Sequence, residues 1–136
     1  MIIRPPKIIV INSDVIELKK VETFLTNIFK EYNLEKKYFN KVYLCILEAV
    51  INSIKHGNKN DRSKNVSIEV SYDTPEINIM IEDEGNGFDL NEISDPTSEK
   101  NIKNESGRGI FIIKTLTNQI EYNEKGNRIQ FKIECK

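Results

Sequence analysis

Three polar residues that could do chemistry recur at helical spacing in one stretch, LCILEAVINSIKHGNKND. Glu48, Asn52 and His56 lie four residues apart, so in an α-helix they project from one side. A carboxylate can accept a proton and a carboxamide oxygen can ligate a hard cation. On this spacing alone a solvent-facing polar stripe is the favoured explanation, and for His56 the default interpretation is a capping or hydrogen-bonded histidine near a helix end.

A second group of residues with chemical potential is IEDEGNGFDL, in which alternating isoleucines end in Asp83, followed by Gly85 and Gly87. A carboxylate at a strand end can accept a hydrogen bond from a ligand amine. Glycine lacks Cβ and tolerates positive φ, so the chain can pass close under that ligand. A plain turn produces the same D-x-G-x-G pattern, so this motif alone leaves both explanations open.

A third group is SGRGIFIIKTL, in which Gly107 and Gly109 flank Arg108 immediately before a predicted helix. Free N–H groups at a helix N-terminus and the helix dipole favour anions, and glycines let phosphate oxygens approach. Arg108 could add a charge-assisted contact. A flexible entry into a helix is the alternative explanation.

The elements that must position these groups can be read from hydrophobic periodicity. The N-terminal half contains a short strand over 7–12, an amphipathic helix over 14–32 capped by Asn12 or Ser13, and a second helix over about 36–56 with Gly57 suited to its C-terminal cap. The chemistry-bearing Glu48 and Asn52 therefore belong to the second helix.

The C-terminal half predicts strands and a long loop. Alternation in VSIEVSY and EINIMIED indicates two strands joined by a turn, and Lys125-Gly126 marks a second hairpin between QIEYNE and NRIQFKIE. The polar stretch over about 89–106 is too long for an ordinary connection and is either disordered or a functional lid. A third, well-buried helix is predicted to begin near Gly107.

This order of elements predicts an α+β fold: a two-layer α/β sandwich with helices on one face of a mixed, mostly antiparallel sheet. The 136 residues are expected to form a single domain (1–136) with a sizeable core. A net charge of −1 gives no basic field for nucleic acid or an anionic membrane, and no apolar run reaches a membrane span. Cys45 and Cys135 lack metal-like spacing and are expected to be reduced thiols of a cytoplasmic protein.

Together the three motifs, in this order with a polar lid between the last two, resemble the Bergerat ATP-binding fold. This is the superfamily of gyrase-type ATPases, Hsp90, histidine kinases and anti-sigma-factor serine kinases (GHKL). The resemblance covers about Lys36 to Lys132. Before the last strand, many members of the superfamily carry a threonine near the adenine, whereas GNRIQFK offers Arg128 and Ile129 there.

The resemblance implies ATP and Mg²⁺ as cofactors and assigns a role to each motif. Asn52 would ligate Mg²⁺, Glu48 would be the general base, and Asp83 would accept a hydrogen bond from the adenine amino group. At the strand end, Gly85 and Gly87 would make room for the base. The phosphates would be cradled under the lid by Gly107, Arg108 and Gly109, and Lys55 is a further candidate for a phosphate contact.

Within the superfamily, EAVINSIKHG is most similar to the anti-sigma-factor serine/threonine kinases of the RsbW and SpoIIAB type. Glu48 at the base position, the absence of large appended domains and the lack of a separate phospho-acceptor histidine favour that group. This resemblance implies a sigma factor and a STAS-domain anti-anti-sigma protein as partners, and a possible homodimer. Its prediction is Mg·ATP-dependent transfer of phosphate to a serine of the STAS protein.

Two alternatives stay open at this point. The domain could be a nucleotide-gated interaction module with little turnover, in which ordering of the lid couples ATP to partner affinity. It could also be an α+β domain that binds no nucleotide, in which case ATP and Mg²⁺ would leave its melting temperature unchanged.

Overall fold

A computed structural model describes residues 5–85, 113–114, 116–117 and 119–135. Two α-helices and five strands account for most of this part of the chain. In chain order they are β1 (Lys7–Asn12), α1 (Leu18–Glu31), α2 (Phe39–Asn52), β2 (Asn65–Asp73), β3 (Glu76–Asp83), β4 (Gln119–Tyr122) and β5 (Arg128–Glu134). Short 3-10 turns, Val15–Glu17 and Lys36–Tyr38, lead into α1 and α2.

The five strands form one sheet in the order β1-β2-β3-β5-β4, and every pairing among these described strands is antiparallel. Both helices pack on the same apolar sheet face. The α+β sandwich predicted from the sequence is therefore confirmed, and the sheet described here contains no parallel pair.

The core lies between the helices and the inward face of β2, β3 and β5. Strand alternation aligns buried side chains in rows across the sheet, with Ile79 opposite both Val70 and Phe131. The helices contribute Val21, Leu25 and Ile28 from α1 and Val42, Cys45, Ile46, Ala49 and Val50 from α2. Each fully buried aliphatic side chain of this kind contributes about 1.5–3 kcal/mol. This packing holds the C-terminal ends of α2 and β3 against each other.

The start of the first helical segment differs from the prediction of a cap at Asn12 or Ser13. Asp14 is the residue that caps it, because its side chain accepts a hydrogen bond from the Ile16 N–H at 3.1 Å. Ser13 is buried, and its hydroxyl donates to the Lys64 carbonyl at 2.7 Å. Ser13 thus ties the β1–α1 junction to the segment entering β2.

The end of the second helix also differs from the prediction of one continuous α-helix to His56. Regular α-helix ends at Asn52, and Ser53–Gly57 forms a π-helical turn closed by the Asn58 N–H on the Ser53 carbonyl at 2.7 Å. The side chain of Asn58 is itself anchored outside the helix, to Ser13, Asn65 and Glu84. Such π turns are rare and are frequently found at functional sites.

Parts of the prediction lie outside the described residues. The segment over 89–106 and the start of the third helix are among them; Ile113 and Lys114 are helical, and Ile113 is fully buried. Across the described residues no helix has both the length and the apolarity needed to traverse a lipid bilayer.

Candidate nucleotide-binding site

The helix side of the candidate site is formed by the last turn of α2. Asn52 is only 3 % exposed, and its Nδ2 has no hydrogen-bond partner among the described residues. Glu48 lies one turn earlier on the same helix and is half-buried. A buried amide with an unused donor beside a partly accessible carboxylate is suited to a polar ligand, because an unsatisfied buried group is costly otherwise.

The π turn changes the positions of the two basic residues that follow Asn52. Lys55 lies in this turn and is partly buried, while His56 is exposed. A π turn is wider than an α turn, so these residues do not continue the stripe of Glu48 and Asn52 with α-helical spacing.

The sheet side of the site is Asp83, the last residue of β3, which is 3 % exposed. Its Oδ1 accepts a hydrogen bond from the Gly85 N–H at 2.8 Å, whereas its Oδ2 is buried without a partner among the described residues. Burial raises the pKa of Asp83 above its usual value, and the Gly85 N–H and Ser53 hydroxyl partly oppose this shift. A buried carboxylate oxygen without a partner is an acceptor that the N–H group of a bound ligand would satisfy.

Two glycines bring the helix end and the strand end into direct contact. A Cβ added to Gly57 would lie 2.2 Å from Asp83 Oδ2, and a Cβ added to Gly85 would lie 1.9 Å from the Gly57 carbonyl oxygen. Any side chain at either position would therefore collide with the carboxylate or with backbone. Neither glycine is among the positive-φ residues of the described chain, so close approach is the reason for both.

Two asparagines fix the backbone that carries Asp83. The Asp83 N–H donates to the Asn127 carbonyl at 2.9 Å, and Asn127 Nδ2 donates back to the Asp83 carbonyl at 2.8 Å. On the other side, Asn58 Oδ1 accepts from the Glu84 N–H at 2.8 Å. The bend after β3 is thus bonded to the β4–β5 turn and to the residue after the π turn.

Asn58 is 1 % exposed, and both its side-chain amino group and its side-chain oxygen make hydrogen bonds. Its Nδ2 donates to Ser13 Oγ at 2.7 Å and to the Asn65 carbonyl at 3.0 Å. The Glu84 carboxylate accepts from the Asn65 N–H and closes the same network. One side chain therefore joins the β1–α1 junction, β2 and the bend after β3.

The donors and acceptors present fit a purine nucleotide on chemical grounds. Asp83 Oδ2 offers an acceptor to an exocyclic amine, and the carboxamide of Asn52 lies at the helix side. For a magnesium ion the described residues provide no cluster of three acidic, histidine or cysteine side chains. A bound Mg²⁺ would therefore take most of its oxygen ligands from phosphates and water, which suits this ion.

Four predicted site residues lie outside the described part of the chain: Gly87, Gly107, Arg108 and Gly109. Their proposed contacts with base and phosphates stay predictions. Among the described residues, the structure brings Asp83 and Gly85 together with the turn that follows Asn52.

Sequence reasoning missed the roles of three residues at this site. Gly57 was expected to cap the helix, but its function is to leave room for Asp83. Asn58 and Asn127 were not singled out at all. The available signals were weak: a glycine followed by a polar residue at the helix end, and an asparagine directly after the hairpin glycine Gly126.

Comparison with known proteins agrees with this geometry. Residues 11–133 match the family model described as the histidine kinase-like ATPase domain. The chain is 40 % identical over 85 residues to an anti-sigma F factor of Clostridium perfringens (strain SM101 / Type A), a match that covers 60 % of each protein. It is 28 % identical over 88 residues to the serine-protein kinase RsbW of Oceanobacillus iheyensis, covering 60 % of this chain and 56 % of that protein.

A solved structure has the same fold. The RsbU and RsbW domains of Rv1364c from Mycobacterium tuberculosis match with a TM-score of 0.66 and 12 % sequence identity, covering 98 % of this chain and 32 % of that one. The curated relatives are matched over about 60 % of their length. The superfamily predicted from the three motifs is confirmed: the chain belongs to the histidine kinase-like ATPase domain family.

Proposed function

We propose that this protein binds Mg·ATP and acts as an anti-sigma factor that phosphorylates a serine of a STAS-domain anti-anti-sigma partner. The observation that carries the proposal is the buried Asp83 carboxylate, whose Oδ2 lacks a partner and faces Gly57. Desolvation of a carboxylate is costly, so a site that keeps one oxygen unused is suited to a specific donor. The adenine amino group is that donor in the proposal.

The proposed chemistry assigns one role to each group of residues. The serine hydroxyl oxygen attacks the γ-phosphorus of ATP, the bond between that phosphorus and the β–γ bridging oxygen breaks, and ADP leaves. Glu48 takes the proton of the serine hydroxyl, which its partial exposure on α2 allows. Such transfer depends mainly on positioning and on neutralising phosphate charge.

The phosphate side is proposed from the family resemblance. Asn52 would hold the magnesium ion, which when bound supplies positive charge to the phosphates. Lys55, Gly107, Arg108 and Gly109 would contact the phosphates, and the segment over 89–106 would cover them. Gly87 would make room for the base together with Gly85.

The partners are proposed from the printed names of the relatives. One is called an anti-sigma F factor and another a serine-protein kinase, which supports a sigma factor as the bound partner and a protein serine as the acceptor. A homodimer is part of the same proposal. The free, buried thiols of Cys45 and Cys135 suit the reducing cytoplasm, where we place this function.

The test is phosphate transfer with the intact chain. Purified protein is incubated with Mg²⁺, γ-labelled ATP and the STAS-domain protein encoded in the same genome, and labelled serine is measured. We expect transfer by the wild type and at least a 100-fold slower transfer by Glu48→Gln, with ATP affinity nearly unchanged, because a general base contributes about 10²–10⁴-fold.

A matched control is Glu69→Gln, the same change at a partly buried glutamate of β2. This change should leave phosphate transfer intact. ATP binding without transfer to any STAS protein would refute the kinase assignment and favour the nucleotide-gated interaction module. Absence of ATP binding would refute the proposal as a whole.

A further inference from the structure

The recognition of a base by one carboxylate depends on how firmly that carboxylate is aimed. Asp83 is the last residue of β3; it still pairs with Val66 of β2, but the register with β5 ends one residue earlier, at Glu82 opposite Arg128. On the β5 side, where the register has ended, the strand end is free to move unless other groups hold it. The direction of Oδ2 is therefore set by whatever bonds the backbone of Asp83 and the two residues after it.

Asn127 bonds this backbone through both of its polar groups. Its carbonyl accepts from the Asp83 N–H at 2.9 Å and its Nδ2 donates to the Asp83 carbonyl at 2.8 Å, so the peptide groups on both sides of the Asp83 Cα are held. Asn127 Oδ1 in turn accepts from Asn123 Nδ2 at 2.7 Å. The side chain is thus fixed in the one orientation that presents its donor to Asp83.

The turn that carries Asn127 is itself well defined. Gly126 has a φ of 79°, a left-handed conformation that favours glycine, and its N–H donates to Asn123 Oδ1 at 2.9 Å. The Arg128 N–H donates to the same oxygen at 3.1 Å. The β4–β5 turn therefore presents Asn127 to the end of β3 as a preorganised unit.

From these contacts we infer that Asn127 is a positioning residue. By fixing the orientation of the Asp83 carboxylate, it sets the discrimination between adenine and other purines. The inference rests on the proposed nucleotide function. A rigidly held carboxylate accepts from the amino group of adenine and repels the carbonyl oxygen that hypoxanthine carries at the same position. A carboxylate free to pivot would lose part of the first interaction and avoid part of the second.

The deciding experiment uses Asn127→Asp, which is nearly isosteric. The variant keeps an oxygen for Asn123 and replaces the donor aimed at the Asp83 carbonyl with a second acceptor. The control is Asn78→Asp, the same chemical change on β3 at a partly buried residue that makes no side-chain hydrogen bond to the described residues. Dissociation constants for Mg·ATP and Mg·ITP are measured by calorimetry on the full chain.

We expect the ratio of the ITP to the ATP dissociation constant to fall about fivefold or more in Asn127→Asp, the change in equilibrium that loss of one hydrogen bond brings, and to stay at the wild-type value in Asn78→Asp. A role in folding alone would weaken both nucleotides equally and leave the ratio unchanged. An unchanged ratio therefore overturns the inference while ATP binding by the wild type leaves the proposed function intact.

Two further outcomes are decided in advance. If Asn127→Asp does not fold, Asn127→Ala, which introduces no charge, is measured instead, and the ratio is judged by the same criterion. If the wild type binds neither nucleotide, the proposed function fails and the inference fails with it.

Discussion

Replacing Asp83 with asparagine tests the feature on which the nucleotide site depends. The change keeps the shape of the side chain and the oxygen that accepts from the Gly85 N–H. It replaces the unpartnered Oδ2 with an amino group. A donor would then face the amino group of adenine, so the base loses its acceptor.

The expected loss of affinity follows from the charge of the acceptor. A hydrogen bond to a charged group is worth about 1.5–3 kcal/mol, so ATP should bind about 10- to 150-fold more weakly to Asp83→Asn. At an ATP concentration of about 100 times the wild-type dissociation constant, binding stabilises the wild type by about 2.7 kcal/mol. For a domain of this size that is a rise in melting temperature of about 10 °C, against about 1–6 °C for the variant.

The free protein should respond in the opposite direction. Because the pKa of Asp83 is raised in the folded state, the folded protein binds this proton more tightly than the unfolded chain does. The contribution of Asp83 to stability therefore falls as the pH rises from the pKa of the unfolded state to that of the folded state. Above both pKa values its full cost is present. Without ATP, Asp83→Asn should therefore be at least as stable as the wild type at such pH values, and the advantage should disappear in acid.

The assay is thermal unfolding with and without Mg·ATP, for the wild type, Asp83→Asn and the control Asp73→Asn. Asp73 is exposed at the end of β2 and undergoes the same chemical change away from the site. A rise in melting temperature with ATP that is as large in Asp83→Asn as in the wild type would refute the reasoning.

Three other predictions concern the site and the core. Gly57→Ala places a methyl group 2.2 Å from Asp83 Oδ2, so it should lower the free energy of unfolding by about 1–3 kcal/mol and abolish ATP binding in calorimetry. The control is His56→Ala at the exposed neighbour, and normal ATP affinity in Gly57→Ala would contradict the packing. Asn58→Ala removes all three hydrogen bonds of a buried side chain and should lower the free energy of unfolding by about 2–4 kcal/mol in urea unfolding. Exposed Asn40→Ala should change it by less than about 0.5 kcal/mol, and equal effects of the two changes would be evidence against the network. Burial raises the pKa of Cys45 to about 11. Its thiol should therefore stay unmodified by Ellman's reagent at mildly alkaline pH until guanidinium unfolds the chain. Rapid reaction of this thiol in the native protein would disagree with its burial.

The strands were predictable because their periodicity matches their burial. Ile77, Ile79 and Ile81 occupy every second position of β3, and all three are fully buried. The hairpin at Gly126 was also predictable, because a positive φ favours glycine. Local sequence carries both signals, so no tertiary information was needed.

The interior of the site was less predictable because its geometry depends on contacts between distant segments. The π turn after Asn52 is closed by the Asn58 N–H, and the side chain of Asn58 has its partners just after β1, in β2 and in the bend after β3. The hydrophobic periodicity of α2 does not predict those partners, because they are distant in sequence. The contact of Gly57 with Asp83 likewise joins residues far apart in sequence, so a glycine near a helix end was interpreted as a local cap.

The π turn also determines which changes of length this domain can accept. Each residue of an α-helix advances the chain by about 1.5 Å and rotates it by about 100°. Deleting one residue within Ser53–Gly57 could restore regular α-helical bonding, yet it would swing the following glycine away from the strand end and bring a side chain there instead. Homologous sequences aligned to this one should therefore show insertions and deletions in the loop over 59–64, and a constant count of residues between Asn52 and Gly57.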